Sequence, residues 1–333
     1  MDDLAEISSL VLELSALEVA LYLCLATREH CRIDATTDNI DDVSKELALI
    51  CTNTFDLTYA VVDCSVDTSL EEFCSYLIPA AARSIGSNAE NRVVNVIIAK
   101  NFDHVVDTIQ LQALELMRSK KLTTPYGRLE APVDFLFIPL LVRKSEHDQP
   151  ILNFHLNDHL ILSHFHGSRD DFVYLEENND WLSDGQMSAS SVVHKPPIPP
   201  HKGHPRIDRR ALDKLEQAGN RVTMGADIVR YHQDIVVFLR LSRAVSGGIS
   251  SLSNVYFMKL SKLLAALHGI DYLTPSIVAL AAKKVFRHRI IVAKPEDDRS
   301  LQYGSDLKAV AQVLSYATPD TILDSVLTLE APL

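Results

Sequence analysis

The sequence is poor in the residues that common catalytic motifs require. It has 11 glycines among 333 residues. None of them stands in a glycine-rich loop ending in Lys-Ser or Lys-Thr, the pattern whose backbone N–H groups hold the phosphates of a nucleotide. A Gly-x-Ser-x-Gly sequence is also missing, which argues against the nucleophile elbow of α/β-hydrolases.

Cysteine is scarce and confined to one part of the chain. All five cysteines lie in the first 74 residues, are odd in number and lack the Cys-x-x-Cys spacing of zinc sites: Cys24, Cys31, Cys51, Cys64 and Cys74. This usage favours reduced, buried thiols over disulfides or zinc ligands. We therefore expect a cytoplasmic or nuclear protein.

Basic residues are outnumbered, 32 against 44 acidic, for a formal net charge of −12. This balance disfavours a non-specific nucleic-acid or anionic-membrane binder. The apolar run from Leu10 to Leu25 is interrupted by Glu13 and Glu18, and no basic segment precedes it. It predicts a helix and no targeting or membrane segment. We expect neither nucleic acid nor a membrane as partner.

What the first half does contain is apolar runs alternating with helical patterns. Apolar runs predict strands at 30–33, 59–63, 93–99, 135–142 and 159–165. Helical periodicity covers 7–26, 41–52, 69–82 and 107–119, with Ser15 as a possible second start. Strands that are apolar on both faces and alternate with helices indicate a parallel sheet covered on both sides. The predicted fold class is α/β.

The second half differs in composition. Residues 183–206 are rich in Ser, Pro and His, and proline at this density favours an extended spacer. Helices are then predicted at 226–245, 251–267, 275–289, 307–315 and 321–327, from periodicity and from the cap signals Ser250 and Thr274-Pro275. We predict an α/β domain at 1–182, a linker at 183–206 and a helical domain at 207–333.

Two groups of residues resemble a known family. The first comprises Ala99–His104, Thr108–Met117, Thr123 and Asp134–Ile138, and the second Gly248–Ser250, Leu267–Pro275 and His288–Ile290. The first looks like the Walker B strand, glutamine-containing helix, hairpin and sensor-1 strand of the chelatase/MoxR branch of AAA+ ATPases. The second is similar to the helical lid of that branch. More narrowly, the chain resembles divergent, chiefly fungal, magnesium-chelatase-like proteins.

The resemblance implies an AAA+-like parallel-sheet domain followed by an all-α lid, but the positions of the catalytic groups are altered. Lys100 and Asn101 replace the Asp and Glu of Walker B, which orient magnesium and water. Leu252 stands at the sensor-2 arginine, and the sensor-1 position falls in the apolar Pro139–Leu141. The phosphate loop is expected after the first helical stretch, where Arg28 could meet a phosphate.

These substitutions predict a pseudo-ATPase without catalytic residues. It would act as an interaction or assembly subunit, through protein partners or as a homo-oligomer contacting through the lid. Its cofactor-binding residues would be Arg28, Lys100 and Asn101, should ATP and Mg²⁺ bind at all. The alternative is an ATP-dependent motor subunit of the magnesium-chelatase type.

A histidine-based metal module is a third alternative. His155 and His159 are spaced for one helix face, and His164 and His166 for one strand face. Asp158 is the one carboxylate close by in the sequence, and no cysteine is near. We therefore predict no metal site.

Overall fold

The structure is a computed structural model that describes residues 2–78, 93–124, 127–145, 150–167, 170, 172–175 and 204–328. The side chains of Asp2, Thr124, Gly127 and Arg299 are outside this description. Most of the predicted linker at 183–206 lies outside the described residues, so the domain boundaries stay a prediction.

A five-stranded parallel sheet forms the centre of the first half. Its strands are β1 (His30–Ala35), β2 (Tyr59–Asp63), β3 (Val96–Lys100), β6 (Leu136–Val142) and β7 (Leu160–His166). The order across the sheet is β2-β3-β6-β1-β7, and every pairing is parallel. The predicted α/β class is confirmed.

Helices cover both faces of this sheet. They are α1 (Asp2–Val11), α2 (Ala16–Thr27), α3 (Ile40–Asn53), α4 (Leu70–Leu77), α5 (Asp107–Ser119) and α6 (Phe154–Asp158), and an antiparallel hairpin pairs β4 (Lys121–Thr124) with β5 (Gly127–Glu130). Side chains of α2 and α3 share one buried core, and those of α4, α5 and α6 share a second. Because successive side chains of a strand point to opposite faces, the apolar strands fill both cores.

The N-terminal helical stretch is two helices. Ser15 caps α2 by a capping box, in which its hydroxyl accepts from the Glu18 N–H at 3.2 Å and the Glu18 carboxylate accepts from the Ser15 N–H at 2.8 Å. Such a reciprocal cap satisfies two free N–H groups. The second start predicted at Ser15 is confirmed.

The second half is helical with a small hairpin. Its helices are α7 (Arg209–Arg221), α8 (Ala226–Leu241), α9 (Ser251–Leu267), α10 (Pro275–Phe286), α11 (Leu307–Leu314) and α12 (Pro319–Leu327), and β8 (Val245–Gly247) pairs with β9 (Ile291–Val292). The hydroxyls of Ser250 and Thr274 cap α9 and α10 as predicted.

Two features of this half differ from the prediction. Helix α7 was not predicted, and the helix expected to reach Val245 ends at Leu241. It ends early because the next residues form β8, whose partner β9 is 46 residues away in sequence, measured from Val245 to Ile291. Periodicity within one segment cannot reveal a pairing partner at that separation.

The cysteine usage predicted reduced, buried thiols. All five cysteines are buried and none forms a disulfide, and burial raises the pKa of Cys64 to about 12. Thiols in this state are weak nucleophiles.

Among the described residues, no helix is both long enough and apolar enough to span a membrane.

One buried histidine predicts a pH effect on stability. His232 of α8 is fully buried and stacks on Phe257 at 3.8 Å between ring centroids. Burial lowers its pKa to about 4, whereas the unfolded chain binds this proton near pH 6.5. Between these values the unfolded chain holds more protons, so stability falls as the pH drops, by about 2 kcal/mol for this group at pH 5.

We expect His232→Phe to remove that share of the pH dependence while keeping the ring stack. Urea unfolding at pH 8 and pH 5 measures it: the variant should lose about 2 kcal/mol less than the wild type between these pH values. His268→Gln, at an exposed histidine, is the control and should behave as the wild type. Equal losses in the His232 variant and the wild type would contradict the assignment.

Candidate functional site

The carboxyl edge of the sheet is where a parallel α/β fold places its ligand. Strand β1 lies between β6 and β7, and the chain leaves β1 through α3 to reach β2 at the far edge. In open parallel sheets, ligands bind outside the carboxyl ends of the strands where the strand order reverses. Here that point is the loop between β1 and α3, residues 36–39.

This loop is closed by its own side chain. The Oδ1 atom of Asn39 accepts the N–H of Thr36 at 2.8 Å, and its Nδ2 donates to the carbonyl of His166 at 3.3 Å. Asn39 is buried, and the loop Thr36-Thr37-Asp38-Asn39 has no glycine. A phosphate needs free backbone N–H groups, and at least one here is already used.

The first turn of α3 is acidic. Asp41 and Asp42 both lie there, where the positive end of the helix dipole stabilises a negative charge. Two carboxylates at this end repel a phosphate dianion. The carboxylates of Asp41 and Asp42 therefore stand at the helix end where a phosphate would otherwise be attracted.

Lys100, at the end of β3, binds the carboxylates of this edge. Its Nζ lies 2.6 Å from Oδ1 of Asp41 and 3.1 Å from Oδ2 of Asp63 at the end of β2. The amide of Asn101 donates to Asp63 at 3.4 Å, and Asn101 has a left-handed φ of 53°, which asparagine tolerates. Lys100 thus places an ammonium ion between two carboxylates that could otherwise hold a metal ion.

The electrostatics of this cluster favour the ion pairs. Burial opposes the charged form of Lys100, but the hydrogen bonds to Asp41 and Asp63 outweigh it, and the pKa of Lys100 is raised. The hydrogen bond from Lys100, and then its charge, lower the pKa of Asp41. Both shifts favour the charged forms of Lys100 and Asp41, so a Mg²⁺ ion would have to displace Lys100.

Arg28 is not part of this cluster. It is the left-handed C-cap of α2 and precedes β1, so it lies at the amino edge of the sheet. Ile33 is level with Lys100, because both pair with Leu140; Arg28 lies five residues earlier, roughly 15 Å along the strand direction. The structure brings Lys100 and Asn101 together and leaves Arg28 apart. The phosphate loop of this topology would be 36–39, so the position expected for it at Arg28, after the first helical stretch, is corrected.

Two arginines from different parts of the chain meet at Asp320, which the sequence did not indicate. Arg143 follows the predicted sensor-1 strand, and its Nη2 lies 3.2 Å from Oδ2 of Asp320 in α12. Arg287, after α10, reaches Oδ1 of the same carboxylate at 2.6 Å. The helix predicted at 321–327 starts at Pro319 in the structure, and the contact of its Asp320 with Arg143 depends on tertiary packing. Asp320 therefore holds these two arginines.

The predicted sensor positions are apolar in the structure. Leu140 and Leu141 are fully buried in β6, and Leu252 packs against the core from the first turn of α9. None of them offers a hydrogen-bonding side chain toward the sheet edge. Gln110 of α5 is buried and accepts the N–H of Asn153 at 2.7 Å.

Polar contacts fix the helical half against the α/β half. Glu29 accepts hydrogen bonds from Tyr256 at 2.9 Å and from Lys259 at 3.1 Å. Arg289 is buried, and its guanidinium donates to the carbonyl of Leu160 at 2.6 Å and that of Asp158 at 3.1 Å. Hydrogen bonds between charged and buried groups are among the stronger ones in proteins, so the two halves are held in a defined arrangement.

The histidine pairs do not converge with other ligands. His164 contacts Lys284 at 3.3 Å through Nδ1, and burial lowers its pKa to about 3. His159 Nδ1 lies 2.9 Å from the carbonyl of His155. Within the residues that the structure describes, no three His, Cys, Asp or Glu side chains are placed to share a metal ion.

Comparison with known proteins agrees with this architecture. Residues 238–310 match the family model described as AAA lid domain. A crystal structure of a "putative ATPase" from Cytophaga hutchinsonii aligns with a TM-score of 0.64 at 14% identity, covering 100% of this chain and 96% of that one. The chain has an AAA+-like fold. Its parallel-sheet domain is followed by an AAA lid, which confirms the predicted fold class.

Two proteins with similar sequences are named for telomere capping. A stretch of 114 residues is 32% identical to Maintenance of telomere capping protein 2 of Lachancea thermotolerans. A stretch of 118 residues is 33% identical to the protein of the same name from Saccharomyces cerevisiae. These matches span 33% and 34% of this chain, and 40% and 33% of those proteins.

Proposed function

We propose that this protein is an AAA+-like pseudo-ATPase of the chelatase/MoxR type that acts as an interaction or assembly subunit. The observation that carries the proposal is Lys100, whose ammonium stands between Asp41 and Asp63 at the sheet edge. A resident cation there replaces the metal on which phosphoryl transfer depends. The closed loop 36–39 and the apolar residue Leu252 also support the pseudo-ATPase proposal.

The fit of ATP and Mg²⁺ to this edge is poor. Asp41 and Asp42 would face the phosphates, and Asn39 already takes the N–H of Thr36. A bound nucleotide would need the Lys100 pairs broken and the loop opened. We therefore expect no hydrolytic step and no catalytic residue at this edge.

The lid carries the surface that supports an interaction role. Val237, Phe238 and Leu241 lie within five residues of α8 and expose 45%, 45% and 74% of their area. Large apolar side chains grouped on a surface typically mark a protein contact. We propose that this lid surface binds a protein partner or a second copy of the chain.

A charge on this surface should abolish the contact without unfolding the protein. Leu241→Asp is placed at the most exposed of these positions, so its effect on stability should stay within about 0.5 kcal/mol. The mass in solution by light scattering, and partner capture from cell extract followed by mass spectrometry, measure the contact. Leu307→Asp, at an exposed leucine of α11, is the matched control and should leave the contact intact. An unchanged oligomer and unchanged capture in the Leu241 variant would contradict the lid surface.

Nucleotide binding is the direct test of the pseudo-ATPase. We expect a fluorescent ATP analogue to show no binding to the purified chain at micromolar concentration, with or without Mg²⁺, and we expect no phosphate release. The double variant Lys100→Asp, Asn101→Glu should also be inactive, because the loop 36–39 is unchanged. An active AAA+ ATPase in the same assay is the positive control. Turnover by the wild type would favour the motor alternative.

The names of the two similar proteins support a nuclear assembly role. If the shared stretch has a shared task, this chain acts in a protein complex in the nucleus, consistent with the reduced, buried cysteines. Localisation of the tagged full chain by microscopy tests this. A purely cytoplasmic signal would contradict the nuclear proposal and leave the pseudo-ATPase proposal standing.

A further inference from the structure

The five-stranded sheet has two edge strands, β7 and β2, and the lid covers the first of them. Helix α10 packs against β7, and the Ser163 hydroxyl donates to the carbonyl of Lys284 at 3.5 Å. The carbonyl of Leu160 accepts from Arg289 at 2.6 Å. Every residue of β7 is buried except Phe165, which is half-buried. The lid therefore occupies this edge of the sheet.

Strand β2 forms the other edge and is open. Its one neighbour in the described sheet is β3. Tyr59 and Val61 expose 40% and 37% of their area, and the side chain of Asp63 exposes 69%. Proteins usually block an open edge with proline, lysine or a β-bulge, because an unblocked edge pairs with other strands. Strand β2 contains neither proline nor lysine, and its register with β3 is continuous.

The hydrogen bonds of β2 leave the backbone groups of three residues free. At the two ends of the strand, Thr58 and Cys64 bond to β3, at 2.9 and 3.0 Å. Every second residue of a strand bonds to the same neighbour, so the even-numbered residues of β2 are the ones that bond to β3. The N–H and C=O groups of Tyr59, Val61 and Asp63 therefore point away from the sheet. They have no hydrogen-bond partner within the described part of the chain.

These three residues are complementary to themselves in an antiparallel pair. When the pair is centred on Val61, this valine lies opposite Val61 of a second copy, and Tyr59 lies opposite Asp63. Each opposing pair exchanges two hydrogen bonds, and two β-branched side chains pack well against each other across strands. No like charges face each other, and Asp63 is already paired with Lys100 at 3.1 Å. Other registers leave at least one of the three residues without a partner in β2.

We propose that two copies of this chain associate through β2, so that one continuous sheet runs through both copies with the two β2 strands antiparallel at its centre. Main-chain hydrogen bonds supply the affinity, as in other cases of strand addition to an open edge. The lid covers the opposite edge of the sheet, so this contact is separate from the lid surface on α8. It adds a second interface to the proposed assembly role.

Disulfide trapping tests the register of the pair. All five native cysteines are buried, so Val61→Cys introduces an accessible thiol. In the proposed pair the two Cα atoms at position 61 lie about 5.5 Å apart, within the range that a disulfide spans. We expect the oxidised variant to run as a covalent dimer on a non-reducing gel. Tyr59→Cys is the matched control and should stay monomeric, because its two copies lie roughly 14 Å apart along the strands.

The mass in solution tests the strength of the contact. In the presence of Leu241→Asp, which removes the lid contact, the chain should still sediment as a dimer at micromolar concentration. Adding Val61→Pro should weaken this dimer at least about 10-fold, because the dimer loses two hydrogen bonds while β3 loses none. Val61→Lys keeps the backbone N–H but sets two ammonium ions opposite each other, and should also weaken the dimer. Val61→Thr keeps a β-branched side chain and is the control.

Several results would overturn the proposal. They are a monomeric mass for the Leu241→Asp chain, a dimer that both Val61→Pro and Val61→Lys leave unchanged, no trapping of Val61→Cys, and equal trapping of Val61→Cys and Tyr59→Cys. A strand from another protein at this edge would give the monomeric mass and no trapping, and would likewise contradict a second copy. None of these results bears on the lid surface, which Leu241→Asp tests by itself, or on ATP at the Lys100 edge.

Discussion

Gly248→Ala should be among the most destabilising single substitutions in this protein. Gly248 has a φ of 98°, and a Cβ added to it would stand 1.7 Å from the backbone carbonyl oxygen of Arg289. That oxygen belongs to the chain leading into β9 and cannot rotate away as a side chain would. Because both the conformation and the space exclude a methyl group, we expect a loss of more than about 3 kcal/mol, measured by urea unfolding.

A second glycine separates the two causes. Gly304 has a similar φ of 88°, but nothing lies within 4 Å of the Cβ that would be added. Gly304→Ala therefore carries the backbone strain without the clash, and we expect a loss of about 1 kcal/mol. Equal losses in the two variants would mean that the hairpin shifts to accept the methyl group, and that the close approach of Gly248 to Arg289 is dispensable.

Arg289→Met should detach the lid from the sheet domain. The guanidinium donates to the carbonyls of Val285, Asp158 and Leu160, faces the Asp158 carboxylate and lies 5.5 Å from the centre of the Tyr256 ring. Burial lowers the pKa of Arg289 to about 10, which still leaves it charged at pH 7. Methionine retains the apolar stem but leaves these acceptors unpaired, so we expect a loss of about 3 to 5 kcal/mol.

Hydrogen exchange and urea unfolding measure this effect. Exchange should increase first in β7 and at the start of α9, where the contacts of Arg289 and Asp158 lie. Arg230→Met is the control: Arg230 is 84% exposed and pairs with Asp234 at 3.9 Å, so its removal should cost less than about 0.5 kcal/mol. A similar, small loss in both variants would show that the lid is held by its apolar contacts alone.

Local patterns predicted the strands and most helices because each pattern is complete within a few residues. The apolar runs at 93–99 and 135–142 correspond to β3 and β6, and the cap residues Ser15, Ser250 and Thr274 start helices as expected. Helix α7 was missed because its mean hydropathy is low and few of its residues are buried. The hairpin of β8 and β9 was missed because its two strands are far apart in sequence.

The candidate site was only partly predictable. Lys100 and Asn101 were identified because they follow a recognisable strand, and the structure brings them together with Asp63. Arg28 was assigned by its distance from the first helix in sequence, and it lies at the other edge of the sheet. Asp41, Arg143 and Asp320 escaped notice because their spacing in sequence gives no sign of their contacts.

The sequence by itself determined the α/β class and the helical lid, since these depend on residue types at local spacings, and the residue types at 100, 101 and 252 predict a pseudo-ATPase. The tertiary structure decided where the charges meet. Only the packing of α3 beside β3 pairs Asp41 with Lys100, and only the contact between sheet and lid buries Arg289. Electrostatic effects depend on distance through space and on burial, and a linear sequence specifies neither.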